Sequence, residues 1–447
     1  MQDEEVLQFA GEVDVEEVFI TSSLNPSNVD LTNFMVEFNL YEDLFSPTMH
    51  GDIVISDSNN LITELPMIGT ELITVKFRTP TLLDVPENII EKTFQVYSIT
   101  NRTLNNDRSQ FYALNFMSVE AYSDNAVALS KTFDGNTADL VSKHFEMIQG
   151  KRRVDQNRKT GLVIHDTPHA SQIRYTSCYW SPIKNIMFIG RRVKGAQIGM
   201  GDFIFFETNK AFYFTSLESL IADQRTVGVF DEYVYELQPD SIPRFNPDKY
   251  GNTFPSSMTR IEEMTVPKVI DVLDGQDSGY YGQVNRGYDM FTKKMSENIF
   301  DARQQLGNFV RTENGVPIPS DILLDPQTQT QFVSYNSGLY NTYGLDAETH
   351  DPKIMFRKSY LNSFNQFKFE ITIPGRTDIE VGQLISILYP AAKTKLGDET
   401  EMDDVFDPLL TGQYIVSALH HTITTERHVI RAEVIKNGLT KSLGEVK

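Results

Sequence analysis

The sequence predicts an α+β protein that is mainly β, with two similar β-domains toward its ends, a middle mixed α/β domain and an irregular inserted region. Three observations predict it. Short segments rich in Val, Ile, Phe, Tyr and Thr crowd residues 1–125 and 362–447. Capped helix patterns dominate only the middle. Three blocks of the first end recur in order in the second. At 447 residues, with 40% hydrophobic and 23% charged, the chain has an ordinary globular composition and the length of several domains.

In chain order, MVEFNLYEDL, GDIVISDS, ELITVKF, KTFQVYSIT and SQFYALNFMS give residues 1–125 five strands separated by polar, Gly- and Pro-containing turns. Residues 126–225 change character. Asn136 or Thr137 is placed to cap a helix whose apolar face is Leu140, Val141, His144, Phe145 and Ile148. Ser181 and Pro182 open a second with Ile183, Ile186 and Met187 on one side, and DFIFFE with AFYFTS predicts a hairpin around Thr208–Lys210. Residues 226–240 read as one strand belonging to the second β-domain. Residues 241–361 form the inserted helical and irregular region, with a helix expected near Phe291, Met295 and Ile299, no structure assigned to 311–350, and a helix capped by Asp351 and Pro352. Residues 362–447 return to strands.

The repeat is the most informative feature. Asp52–Ile55 matches Glu370–Ile373 at an offset of 318; Leu72–Val75, after Gly69, matches Leu384–Ile387, after Gly382, at 312; Phe94–Ile99 matches Tyr414–Leu419 at 320. Each last block leads through a polar turn to another apolar strand. Three matches in register indicate a duplicated β-domain whose second copy is discontinuous.

Charge and cysteine usage exclude several classes. Forty basic against 61 acidic residues leave a net charge of −21, unsuited to clamping nucleic-acid phosphates but compatible with DNA sliding past. Residues 1–20 hold seven acids and no base, whereas Lys143–Lys194 holds eleven basic residues against three acids, so the middle domain is expected to carry its own partner surface. Cys178, the single cysteine, forbids an intrachain disulfide. No apolar run approaches the ~18 residues of a membrane span, and the acidic start is unlike a signal peptide, so neither insertion nor signal-directed secretion is expected.

No catalytic constellation stands out, and no cofactor is expected. His165 and His169 have metal-ligand spacing, but Pro168 interrupts the helix that would align them, and Cys178 reaches them only by loop folding. His420 and His421 are strand neighbours pointing to opposite faces. Gly199-Met200-Gly201 reads as a turn, Asp274–Gly279 as a polar turn lacking calcium-loop ligands, and Asp398, Glu399, Glu401, Asp403 and Asp404 as a solvated hairpin loop. Trp180 reads as an anchor for the helix after it.

The segments 41–77 (YEDLFSPTMHGDIVISDSNNLITELPMIGTELITVKF), 178–221 (CYWSPIKNIMFIGRR with FIFFETNKAFYFTSLESLI) and 371–421 (ITIPGRTDIEVGQLISILYP, then GQYIVSALHH) resemble the baseplate central hub proteins of contractile-tailed bacteriophages, relatives of the spike-hub proteins of contractile injection systems. The resemblance spans most of the chain outside residues 300–350. It implies tube-like β-barrel domains and a non-enzymatic homotrimer whose six similar domains join a six-fold tail tube to a three-fold spike, in the virion baseplate after assembly in the host cytoplasm. Implied partners are other copies of itself, the spike, tube or tube-initiator proteins and wedge proteins, with DNA passing through unbound. On that expectation Thr74 and Ser386, opposite in strand alternation to Ile73, Val75, Ile385 and Ile387, face the lumen. Arg152, Arg153 and Arg158 would form the partner-contact basic patch. The competing classes are a tail-associated cell-wall hydrolase and a receptor- or glycan-binding module using Tyr335, Tyr340 and Tyr343.

Overall fold

The computed structural model describes residues 9–22, 28–65, 67–80, 82, 88–106, 109–149, 160–165, 172–193, 202–228, 230–235, 258–305, 309–315, 330–335, 350–391 and 406–440. The first unit comprises β1 (Asp14–Thr21), β2 (Asn28–Asp30), β3 (Met35–Asp43), β4 (His50–Asp57), α1 (Leu61–Glu64), β5 (Leu72–Arg78), β6 (Ile89–Asn106) and β7 (Ser109–Ser118), followed by α2 (Val119–Asn125). Its strands pair antiparallel in the order β2-β1-β5-β6-β7-β4-β3. Alternate residues of these strands, among them Ile20, Phe38, Ile53, Ile73, Phe94, Leu114 and Phe116, close one buried core.

The middle unit holds β8 (Thr132–Asn136), α3 (Thr137–Gln149), β9 (Gly161–Ile164), β10 (Gln172–Thr176), α4 (Pro182–Gly190), β11 (Phe203–Glu207), β12 (Ala211–Ser216) and α5 (Leu217–Val227). The helix starts are where the capping residues placed them. Asn136 Oδ1 accepts from Ala138 N at 3.0 Å, and Ser181 Oγ accepts from Lys184 N at 3.4 Å with Pro182 in the first turn. The expected hairpin forms as β11 and β12, and β9 joins β12 in parallel. The apolar face read for α3 packs with Ile183, Ile186 and Phe212 in a separate core. Trp180 is half-buried, its ring 5.0 Å from that of Phe188 on α4.

The second β-unit is assembled from three separated stretches: β13 (Asp231–Tyr235), then β14 (Arg260–Ile261) with β15 (Glu263–Val269), and finally β19 (Phe367–Pro374), β20 (Leu384–Leu388), β21 (Gly412–Ile423) and β22 (His428–Lys436). Between β15 and β19 lie the helix Val272–Asp277, the strands β16 (Gly282–Asp289), β17 (Met295–Asp301) and β18 (Thr330–Tyr335), and the helix His350–Ser363. The sheet order β13-β20-β21-β22-β19-β15 repeats β1-β5-β6-β7-β4-β3. The ladders reproduce the sequence offsets. Ile73 stands opposite Phe94 as Ile385 does opposite Tyr414, and Leu114 stands opposite both Ile53 and Ile99 as Ala432 does opposite Ile371 and Leu419. Even a bulge is shared, at Tyr97 in β6 and at Ser417 in β21. One member differs: β1 runs antiparallel to β5, whereas β13 runs parallel to β20.

The mainly β class with a mixed middle unit is therefore the observed one, and among the described residues each β-unit is an open sheet, not a barrel closed on itself. Two readings of the inserted stretch need correction. Met295 and Ile299 lie on β17, not on a helix; β17 pairs antiparallel with β16, reached through Phe291 and the left-handed Lys293 (φ 58°). Glu263–Val269, inside the supposed insertion, pairs with β19 as an integral strand of the second sheet. The helix His350–Ser363 sends Met355, Tyr360 and Phe364-adjacent packing into that sheet's own core, joined there by Phe300 and Phe309.

Candidate functional site: an assembly face

The two β-units are joined edge to edge. The first half of β21 pairs with β20, and its second half, on the same edge, pairs with β3: Ala418 opposite Asp43 through Ile423 opposite Phe38. This makes one continuous eight-strand layer, β15-β19-β22-β21-β3-β4-β7-β6. Strand alternation turns Phe369, Ile371, Leu419, Ile430, Phe38 and Ile53 into the cores and leaves a polar opposite face. On that face Tyr41 stacks between His50 (centroids 5.2 Å) and His420 (4.4 Å), and Asn39 Oδ1 meets His420 Nε2 at 2.9 Å and accepts from Thr422 Oγ1 at 3.2 Å. A cavity of about 510 Å³ lies over it, lined by Tyr41, His50, Glu370, His420, Arg431 and Glu433 among others. Partial burial, with Arg431 nearby, pushes the His420 imidazole below its usual range, so this face gains no positive charge from it at neutral pH.

The middle unit is pinned to both β-units. The tip of the β11–β12 hairpin reaches the first: Lys92 Nζ donates to Thr208 O at 2.7 Å and pairs with Glu207 at 2.7 Å, both side chains being buried. Glu207 also accepts from Met49 N at 2.8 Å and from Ser118 Oγ. The α5 residue Gln224 reaches the second, donating to Gly382 O at 2.8 Å and accepting from Leu384 N at 2.7 Å, while Lys210 pairs with Glu380 at 3.2 Å. Around this junction burial raises the carboxyl of Glu42 to about 8 and that of Glu120 to about 7.

Thr74 is 5% exposed, its Oγ1 2.9 Å from that of Thr93, and Ser386 is half-buried; their alternation partners Ile73, Val75, Ile385 and Ile387 are buried as expected. Both polar residues lie on β5 and β20, beside the eight-strand layer and not on it. Arg152, Arg153 and Arg158 lie outside the described residues, as do His169, Gly199–Gly201, the acidic run 398–404, Tyr340 and Tyr343. His165 faces Asp223 at 3.4 Å, and Cys178 is exposed with its Sγ toward Thr176 O. His421, on the face opposite to His420, is buried with Nδ1 3.0 Å from His428 Nε2. Asp274–Asp277 belongs to a helix capped by Asp271, with Asp274 paired to Lys268 at 2.5 Å. The seam strands β3 and β21 were missed as partners by sequence reasoning. The signal available was Glu42, a charged residue on the same alternation as the buried Phe38 and Leu40 of β3.

No family model matches the chain, and no curated protein matches it in sequence. Solved structures do match its fold. The 43 kDa tail protein of prophage MuSo2 from Shewanella oneidensis is similar over 94% of this chain and 98% of its own, with a TM-score of 0.52 and 6% identity. A tail protein from Neisseria meningitidis MC58 is similar over 95% of this chain and 99% of its own, with a TM-score of 0.53 and 10% identity. The fold of this chain is thus that of phage-type tail proteins, the class to which its sequence resemblance pointed.

Proposed function

We propose that this chain is a non-enzymatic hub of a contractile-tail baseplate: a homotrimer whose six β-units form a pseudo-six-fold ring between the six-fold tail tube and the three-fold spike. The observation that carries the reading is the seam of β21 with β3, which makes two like units in one chain neighbours in one sheet. Three chains then present six units, the number a tube-to-spike adaptor needs. On this reading the ring surrounds the DNA path. A trimer carries a formal charge of −63, three times −21, and its wall repels or ignores the duplex instead of holding it. The polar face bearing Tyr41, Glu370, His420 and Glu433 is the proposed wall, with Thr74 and Ser386 as the alternative lining set. The middle unit, whose stretch Lys143–Lys194 is basic, is the proposed platform for acidic partners, wedge proteins or a neighbouring subunit, with Arg152, Arg153 and Arg158 as the contact patch. Light scattering of the purified protein, alone and mixed with the spike, tests the assembly; a three-fold mass is expected, and a monomer under both conditions would count against the hub.

A further inference from the structure

The repeat leaves one edge pairing unmade. Ladder positions equate β15 with β3, since Met264 stands opposite Ile371 as Phe38 does opposite the equivalent Ile53. They equally equate the second half of β6 with the second half of β21. Within the chain β21 pairs with β3, but among the described residues the second half of β6 pairs only with β7, and β15 only with β19. The consequence is visible in burial. Ile423 is 0% exposed, whereas Leu104, its counterpart on β6, is 81% exposed.

We propose, resting on the trimeric reading above, that the second half of β6 in one subunit pairs antiparallel with β15 of the next. The seam already present supplies the register: Ile423 opposite Phe38 becomes Leu104 opposite Met264, Thr422 opposite Asn39 becomes Thr103 opposite Thr265, and His420 opposite Tyr41 becomes Thr100 opposite Lys268. Between these rungs each strand carries one residue more than its counterpart. In β6 it falls between Thr100 and Thr103, and in β15 between Thr265 and Lys268. The two bulges meet at the same rung and cancel, giving an unbroken ladder in which Asn101 faces Pro267 and Arg102 faces Val266. A proline is tolerated at a bulge, and an unprotected edge ending in an exposed leucine invites a strand partner. Leu104 and Met264 both take the core-facing alternation of Phe38 and Ile423, so the contact buries apolar surface against apolar surface. The occupant is a second copy because the complementary edge is on this same chain.

The test uses full-length protein with Cys178→Ser throughout. One preparation carries Leu104→Cys and another Met264→Cys; directly opposed antiparallel positions lie within disulfide reach. Mixed and oxidised, alone and with the spike, they are expected to give a dimer band on a non-reducing gel, and the double variant a band closing at three chains. Leu104→Asp, exposed in the monomer, is expected to lower the assembled mass without changing the far-ultraviolet circular dichroism. Trimers by scattering without the 104–264 link overturn this pairing and leave the hub reading standing. Monomers in every condition overturn both.

Discussion

Lys92 and Glu207 form a buried ion pair at 2.7 Å that ties a core-facing position of β6 to the tip strand of the middle unit. Removing one partner leaves the other charge unpaired in a low-dielectric site. Lys92→Met is therefore expected to lower stability by about 3–5 kcal/mol, and Lys92→Met with Glu207→Gln by much less, a non-additivity read from urea unfolding of the four-member cycle.

Glu42, held at about 8 chiefly by burial and then by Glu380, against the weaker pull of Lys92, sets a pH dependence. A carboxyl raised in the folded state contributes stability that is complete below its unfolded value near 4.5 and is lost as pH rises toward 8. Nearby His421 is pushed down to about 3 by its burial, and its contribution is lost in the other direction, as pH falls from 6.5 toward 3. Glu42→Gln is expected to raise the melting temperature at pH 8 relative to the parent and to leave it nearly unchanged at pH 5, measured by calorimetry at both.

Gly51 has no room for a side chain, because a Cβ there would lie 2.1 Å from Asn39 O and 2.7 Å from the Phe116 ring. Gly51→Ala must push β3 away from β4 one strand from the seam. A loss of about 1–3 kcal/mol is expected, and, if the proposed trimer forms, weaker assembly visible by scattering at temperatures where the monomer stays folded.

The channel reading predicts that arginine on the lining face slows genome delivery without blocking assembly. Two variants, Ser386→Arg at a half-buried position and His420→Arg with Thr372→Arg, should both give intact particles, whereas Thr74, 5% exposed, has no room for an arginine. The set that retards potassium efflux and genome entry identifies the wall, and normal delivery by both sinks the channel assignment.

Reversing Arg152, Arg153 and Arg158 to Glu is expected to slow incorporation into baseplates and to reduce its salt sensitivity, since complementary charge acts chiefly on association rate. Unchanged kinetics across a salt series would reduce these residues to a solvated loop.

The duplicated sheet was legible in sequence because its strands keep strict alternation, so Asp52–Ile55 and Glu370–Ile373 align at the offset the ladders later show. Strand direction was not legible. Alternation is the same read either way, which is why β13 parallel to β20 carries no mark distinguishing it from β1. Glu263–Val269 escaped notice because Pro267, with Thr265 and Lys268 near it, mimics a loop, and Met295–Asp301 because Phe291, Met295 and Ile299 also satisfy a helical spacing of four. Of the site, the polar alternation was readable, but a seam between residues 38–43 and 418–423 depends on contacts no local pattern encodes.

That seam has a consequence for biosynthesis. The outer edge of β3 emerges early, yet the strand that covers it, Ala418–Ile423, is translated some 380 residues later. At ~5–20 residues per second the nascent first unit waits on the order of tens of seconds with an open edge, during which a second nascent chain on the same message is the nearest competing strand. Chain order thus makes a late strand the latch that protects an early one, and conditions that slow translation of the intervening stretch should favour entangled, aggregated product over the folded chain.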